Sequence, residues 1–272
     1  MSNSVSIYNQ YLKILNVPAQ KPGLTELRRI VRAHLMRIPF ENISKIYYRL
    51  KHRLEFIPDI ELYLKGIEQY HFGGTCYSNN YYLNGLLRYL GYDVSLCGAD
   101  MNQPDVHIIN IVTLDQRDFL VDVGYAAPFY EPIPLDLHTD QHIILGGTKY
   151  LITPRDKQGK TRVSMYRNRQ DIHGYTIKPQ ARKFSEFAAV IKHSFRASAT
   201  FFNALLLVRF DLNESITIHN YSLTKARGTS TKITRLYDDA ELIEQITTCF
   251  NIPRRIVTLA LHYIDYFRDA WA

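Results

Sequence analysis

Residues 71–90 read HFGGTCYSNNYYLNGLLRYL, a glycine pair, a threonine and a cysteine ahead of a leucine-rich run. Leu83, Leu86, Leu87 and Leu90 recur at i, i+3, i+4 and i+7, the spacing of one helical face. Gly91 follows as a C-terminal stop. Thr75 takes the N-cap position, so Cys76 falls in the first turn, on the face that Leu83 shares. A thiol there meets the positive end of the helix dipole and free backbone N–H groups. Both favour the thiolate, which is the nucleophile. Gly73 and Gly74 leave room for a second segment or a ligand to approach the sulfur. A small buried cysteine after a turn fits the same residues, since a free thiol is usually a core group.

Upstream, residues 4–16 predict a helix with Ser4 or Ser6 as cap and Ile7, Tyr11 and Ile14 on one face. Pro18 and Pro22-Gly23 break it. A second helix follows Thr25, with Leu24, Leu27, Val31 and Leu35 in register, and ends before Pro39. RIPFENIS (37–44) reads as irregular, and Pro58-Asp59 opens a third helix carrying Ile60, Leu64 and Ile67. With the helix after Cys76, residues 1–91 predict a helical bundle.

Downstream the period changes to two. Tyr92, Val94 and Leu96 alternate with polar neighbours, and 106–114 and 117–124 follow as strands. Residues 149–153 and 161–167 read as a hairpin, so 92–190 predicts a sheet or barrel. The remainder, 191–272, is mixed. A short helix over 184–193 leads in, 201–210 and 215–223 read as a strand pair, and 239–250 as a helix stopping near Asn251 and Pro253. The sum is an α+β chain without internal repeats.

The net charge of +7, from 33 basic and 26 acidic side chains, favours an anionic partner. A phosphorylated cofactor fits better than nucleic acid, because no long basic tract or aromatic-rich nucleic-acid motif is present. Cys76, Cys97 and Cys249 are odd in number and widely spaced, which predicts neither a disulfide framework nor a metal site. The opening MSNSVSIYNQYLKIL lacks a signal-type pattern, and no apolar run is long enough for a membrane span. The expectation is a cytoplasmic protein.

A nucleophilic cysteine needs a base, and the base needs an orienting group. His107 and Asp122 lie in the two strands that follow. If Asp115-Gln116 is a two-residue hairpin turn, Ile109 opposes Asp122 and His107 opposes Gly124. His107 and Asp122 are then diagonal neighbours, about 7–8 Å apart at the backbone. A turn one residue later would separate them. Asp122 interrupts an apolar strand, and a buried carboxylate needs a partner, whether that histidine or a loop amide.

HFGGTC, DVHIINIV, FLVDVGYAAPF and the upstream AHLMRIPFENIS together resemble the arylamine N-acetyltransferases. The likeness is strong across residues 8–135, and later only ELIEQITTCFNI is similar to a family helix. The resemblance implies a helical bundle, a β-barrel and an α/β lid, with a papain-like Cys-His-Asp arrangement of Cys76, His107 and Asp122. It implies an acyltransferase that uses acetyl-CoA as acyl donor and acetylates an arylamine or hydrazine by a ping-pong route through Cys76. The Cys76 N–H would serve the oxyanion, and Phe40, Tyr125 and Phe129 would line the acceptor site. It names no particular acceptor, acyl chain or oligomeric state.

Phe72 stands where the family has an arginine before the glycines, and Ser78 where it has Glu or Gln after the cysteine. The 195–203 loop, FRASATFFN, lacks the family's proline. These departures keep two other readings open. One is a related acyltransferase or amide synthase with another thioester donor, and the other is a non-catalytic small-molecule binder with a vestigial triad.

Overall fold

The computed structural model describes residues 2–271. The first third holds α1 (Ser2–Leu15), α2 (Leu24–Arg37), the two-residue β1 (Phe40–Glu41), α3 (Ile43–His52), α4 (Ile60–Tyr70) and α5 (Cys76–Tyr89). The stops and starts follow the local chemistry. Asp59 accepts from the Leu62 N–H at 2.8 Å to cap α4. Gly91, at φ +90°, turns the chain out of α5. Leu83, Leu86 and Leu87 are buried against Tyr11 and Leu15 of α1 and Leu27 and Ile30 of α2, while Leu90 is only half-buried.

Eight strands follow: β2 (Asp93–Asp100), β3 (His107–Leu114), β4 (Arg117–Val121), β5 (Ile133–Pro134), β6 (Gln141–Leu145), β7 (Thr148–Ile152), β8 (Thr161–Arg167) and β9 (Gln170–Ala181). They form one curled sheet in the order β5-β4-β3-β2-β9-β8-β7-β6, with α5 packed across β2 and β3. The expected barrel is therefore a half-barrel with β5 and β6 as its edges. A physical reason lies in β5, which contains Pro134 and follows Pro132. Neither proline has an N–H with which to continue the ladder.

The last third contains a 3-10 turn over Phe184–Phe187, α6 (Ala188–His193), β10 (Leu206–Asp211), β11 (Glu214–His219), β12 (Ser222–Arg227), β13 (Ser230–Arg235), α7 (Asp239–Phe250) and α8 (Arg254–Leu261). The second sheet runs β1-β10-β11-β12-β13. Among the differences from the sequence reading, two concern this second sheet. Part of RIPFENIS is a strand, since Phe40 pairs with Val208 and Glu41 with Leu207. Residues 215–223 divide into two strands at Asn220, whose φ is +49°. Ile43, Ile108 and Leu207, from the three successive parts of the chain, belong to one apolar cluster.

Candidate active site

The IPFEN segment ties three parts of the chain together. Glu41 is fully buried. Its carboxyl accepts from the Ser44 N–H at 2.8 Å and the Gly73 N–H at 3.0 Å, joining the start of α3 to the glycine loop. Burial raises its pKa, and hydrogen bonds from the Ser44 side chain and from the Ser44, Gly73 and Ile43 N–H groups only partly offset that. Asn42 donates to the carbonyls of Phe201 at 2.9 Å and Ala204 at 2.7 Å, and accepts from the Leu206 N–H at 2.9 Å. Gly73 is required here, because a Cβ would sit 1.8 Å from the Pro39 carbonyl oxygen.

Cys76 is the first residue of α5, with Thr75 at the N-cap. The Thr75 side chain forms no capping bond; its carbonyl accepts from the Ser78 hydroxyl at 3.2 Å. The Cys76 sulfur is largely buried, 3.9 Å from the Val106 carbonyl oxygen. Asp115 and Gln116, both at positive φ, form the two-residue turn between β3 and β4. Leu114 pairs with Arg117 and Asn110 with Val121. That register carries Asp122 to His107, whose Nε2 lies 2.8 Å from Asp122 Oδ2.

Asp122 is saturated with donors. Tyr175 Oη donates to Oδ2 at 2.8 Å, and Asn80 Nδ2 and the Gly124 N–H donate to Oδ1 at 2.8 and 2.9 Å. Burial pushes the Asp122 pKa up, but His107, Asn80 and Gly124 outweigh it and hold the carboxyl below its usual range. Burial likewise pulls His107 down, and the adjacent Asp122 and Cys76 more than reverse this, leaving its pKa raised. Among the described residues, no hydrogen-bond partner reaches the buried His107 Nδ1. Gly124 completes the fit, since a Cβ there would lie 2.6 Å from Cys76 Cα.

Asn80 and Tyr175 escaped the sequence reading. The signal for Asn80 was an amide one helical turn after Cys76, on the face that carries the leucines. Tyr175 lies in β9, 53 residues from Asp122, and carried no local signal.

Cys76 and His107 open into a cavity of about 300 Å³ walled by Phe40, Lys45, Tyr125 and Phe201. Phe129, expected beside them, does not reach it. It is buried behind Tyr125, with ring centroids 6.3 Å apart, and meets Tyr150 on its other side. The 195–203 loop does contribute, through Ser198 to Phe201. Phe72 packs among Tyr47, Tyr48 and Tyr70 at 5.2–5.7 Å, so the position of the family arginine holds an aromatic cluster with no charge to satisfy. A larger groove of about 760 Å³ between α4, α5 and the end of β9 holds no cysteine or histidine. Among the described residues, no group of His, Cys, Asp and Glu is placed to hold a metal, and no helix is long and apolar enough to cross a membrane.

The sequence model of the N-acetyltransferase family matches residues 23–256. Proansamycin X synthase of Amycolatopsis mediterranei is 34% identical over 120 residues, 40% of this chain and 45% of that protein. N-malonyltransferase FDB2 of Fusarium pseudograminearum is 29% identical over 147 residues, 42% of each. The chain thus aligns with under half the length of both relatives. Mycobacterium marinum arylamine N-acetyltransferase in complex with CoA superposes with a TM-score of 0.78 at 20% identity, covering 94% of this chain and 99% of that one.

Proposed function

Because this chain belongs to the arylamine N-acetyltransferase family, we propose that it carries acetyl from acetyl-CoA to an arylamine or arylhydrazine through a thioester on Cys76. The observation that supports this most is one cavity exposing Cys76 and His107, with the far nitrogen of His107 held by Asp122 at 2.8 Å. A sulfur, a proton carrier and an orienting carboxylate in this order suit covalent acyl transfer.

In the first half, the Cys76 sulfur attacks the thioester carbonyl and the carbon–sulfur bond to CoA breaks. His107 supplies the proton that the departing CoA thiolate needs. In the second half, the amine nitrogen attacks the acyl-cysteine and its proton passes to His107. The Cys76 carbon–sulfur bond then breaks and the thiolate returns. Asp122 keeps the imidazole in place and balances its charge in both halves. The N–H of Cys76, which has no acceptor within the helix, would stabilise the oxyanion. Phe40 and Tyr125 offer flat apolar walls to an aromatic acceptor.

Incubation with acetyl-CoA followed by intact-mass measurement tests this reading. One acetyl group should appear, and Cys76→Ser should abolish both the adduct and turnover while keeping the wild-type melting temperature within ~2 °C, since the volume change is small. An unmodified wild-type mass would instead favour a non-catalytic binder.

A further inference from the structure

Lys45 is a second unusual group in the cavity. It lies in the first turn of α3 and is only 7% exposed. Its ammonium has three donors, yet its one polar partner among the described residues is Ser194 Oγ at 3.0 Å. Two phenyl rings also lie beside it, Phe195 at 4.4 Å and Phe202 at 5.4 Å. Glu41, the carboxyl nearest in sequence, is committed to Ser44 and Gly73 instead. The position is also poor for a cation, because the N-terminal turn of a helix presents positive potential. Burial accordingly depresses the Lys45 pKa to about 7, although the Cys76 thiolate works against this.

A buried cation with no hydrogen-bonded anion is costly, and the cost is recovered when a ligand brings one. Lys45 lines the cavity that holds Cys76, His107 and Tyr125. We propose that Lys45 is a carboxylate-recognition site within the acyl-transfer cavity, selecting a substrate that carries a carboxylate close to its reacting carbonyl or amine. The carboxylate arrives on the donor, as in a malonyl-type CoA thioester, or on the acceptor, as in an aminobenzoate. A compact carboxylate suits a single ammonium whose other neighbours are aromatic faces. The inference rests on acyl transfer through Cys76, and adds which substrates the cavity prefers.

Two paired comparisons test it. The first sets malonyl-CoA against acetyl-CoA with 4-methoxyaniline as a neutral acceptor. The second sets 4-aminobenzoate against 4-methoxyaniline with acetyl-CoA. In each, kcat/KM for the carboxylate substrate is divided by that for its neutral counterpart, in wild type, Lys45→Met and Lys45→Arg. In at least one comparison the ratio should fall tenfold or more in Lys45→Met and be largely kept in Lys45→Arg. A fall confined to the first pair assigns the donor, and one confined to the second assigns the acceptor. A purely structural lysine would lower both rates together, so ratios unchanged within threefold in both comparisons overturn the proposal. Should Lys45→Met not fold, the wild type decides alone, and rejection of both carboxylate substrates in favour of their neutral counterparts overturns it. If acetyl-CoA and malonyl-CoA both leave Cys76 unmodified, the acyl-transfer reading fails and this one with it. Labelling by acetyl-CoA with unchanged ratios removes this one alone.

Discussion

Asp122 receives four hydrogen bonds on a fully buried carboxyl, and its substitution tests how much of the proposed chemistry depends on one carboxylate. Asp122→Asn should cut turnover by two orders of magnitude or more; in serine proteases the comparable change costs about 10⁴. Near-normal acylation of Cys76 in the mutant would refute the role given to His107. The same change should have a pH signature in stability. The Asp122 pKa is lowered, so its contribution is whole above the unfolded value of about 3.9 and fades in acid. The His107 pKa is raised, so its contribution is whole below about 6.5 and fades as pH climbs. The melting-temperature gap between wild type and Asp122→Asn should therefore be wider at pH 6 than at pH 10. A gap that widens toward pH 10 contradicts the ion pair. Among the thiols, Cys97 is fully buried and desolvation pushes it up to about 12, and Cys249 is on the buried face of α7, whereas Cys76 faces the cavity. Iodoacetamide at neutral pH should label Cys76 first, read by peptide mass, and prior labelling of Cys97 or Cys249 would contradict the geometry.

At the level of elements, IPFEN acts as a fastener. Asn42→Ala would leave the carbonyls of Phe201 and Ala204 and the N–H of Leu206 without their side-chain partner. Unsatisfied buried groups cost ~1–3 kcal/mol each, some of it recovered by water. A loss of about 2–4 kcal/mol is expected, lowering the melting temperature by roughly 5–10 °C. Because Phe201 walls the cavity, KM should also rise, and an unchanged melting temperature would show that these bonds carry little. Sequence patterning reached the helices around Cys76 and the hairpin that joins His107 to Asp122, because leucine spacing and a two-residue turn are local properties. It missed α3, whose ISKIYYRLKH mixes buried Ile43 and Ile46 with four basic side chains, and it missed β1. The pairing of Phe40 with Val208 has no local trace, since two residues carry no periodicity. The placement of Phe129 failed for a related reason. Its nearness to Tyr125 in the chain is a stacking contact behind the wall, and only packing reveals which ring faces the cavity.

For the whole molecule, the proposed route brings donor and acceptor in turn to the one sulfur, Cys76, that faces the cavity. Initial rates across both substrates should give parallel reciprocal lines. The donor carries phosphates and the chain a net charge of +7, so the donor dependence should weaken with salt while a neutral amine responds little. Intersecting lines, the mark of a ternary complex, would remove the covalent intermediate.

The pairing of β1 with β10 also sets a clock on synthesis. The segment beside the cysteine loop finds its partner strand 168 positions later, from Phe40 to Val208. At ~5–20 residues per second, a ribosome needs on the order of ten to thirty seconds to bridge that gap. During that interval Cys76, His107 and Asp122 have all been made, yet the floor beneath them is unfinished. A nascent chain halted near residue 190 thus carries every group of the proposed reaction and should be silent toward acyl-CoA until β10 has been made.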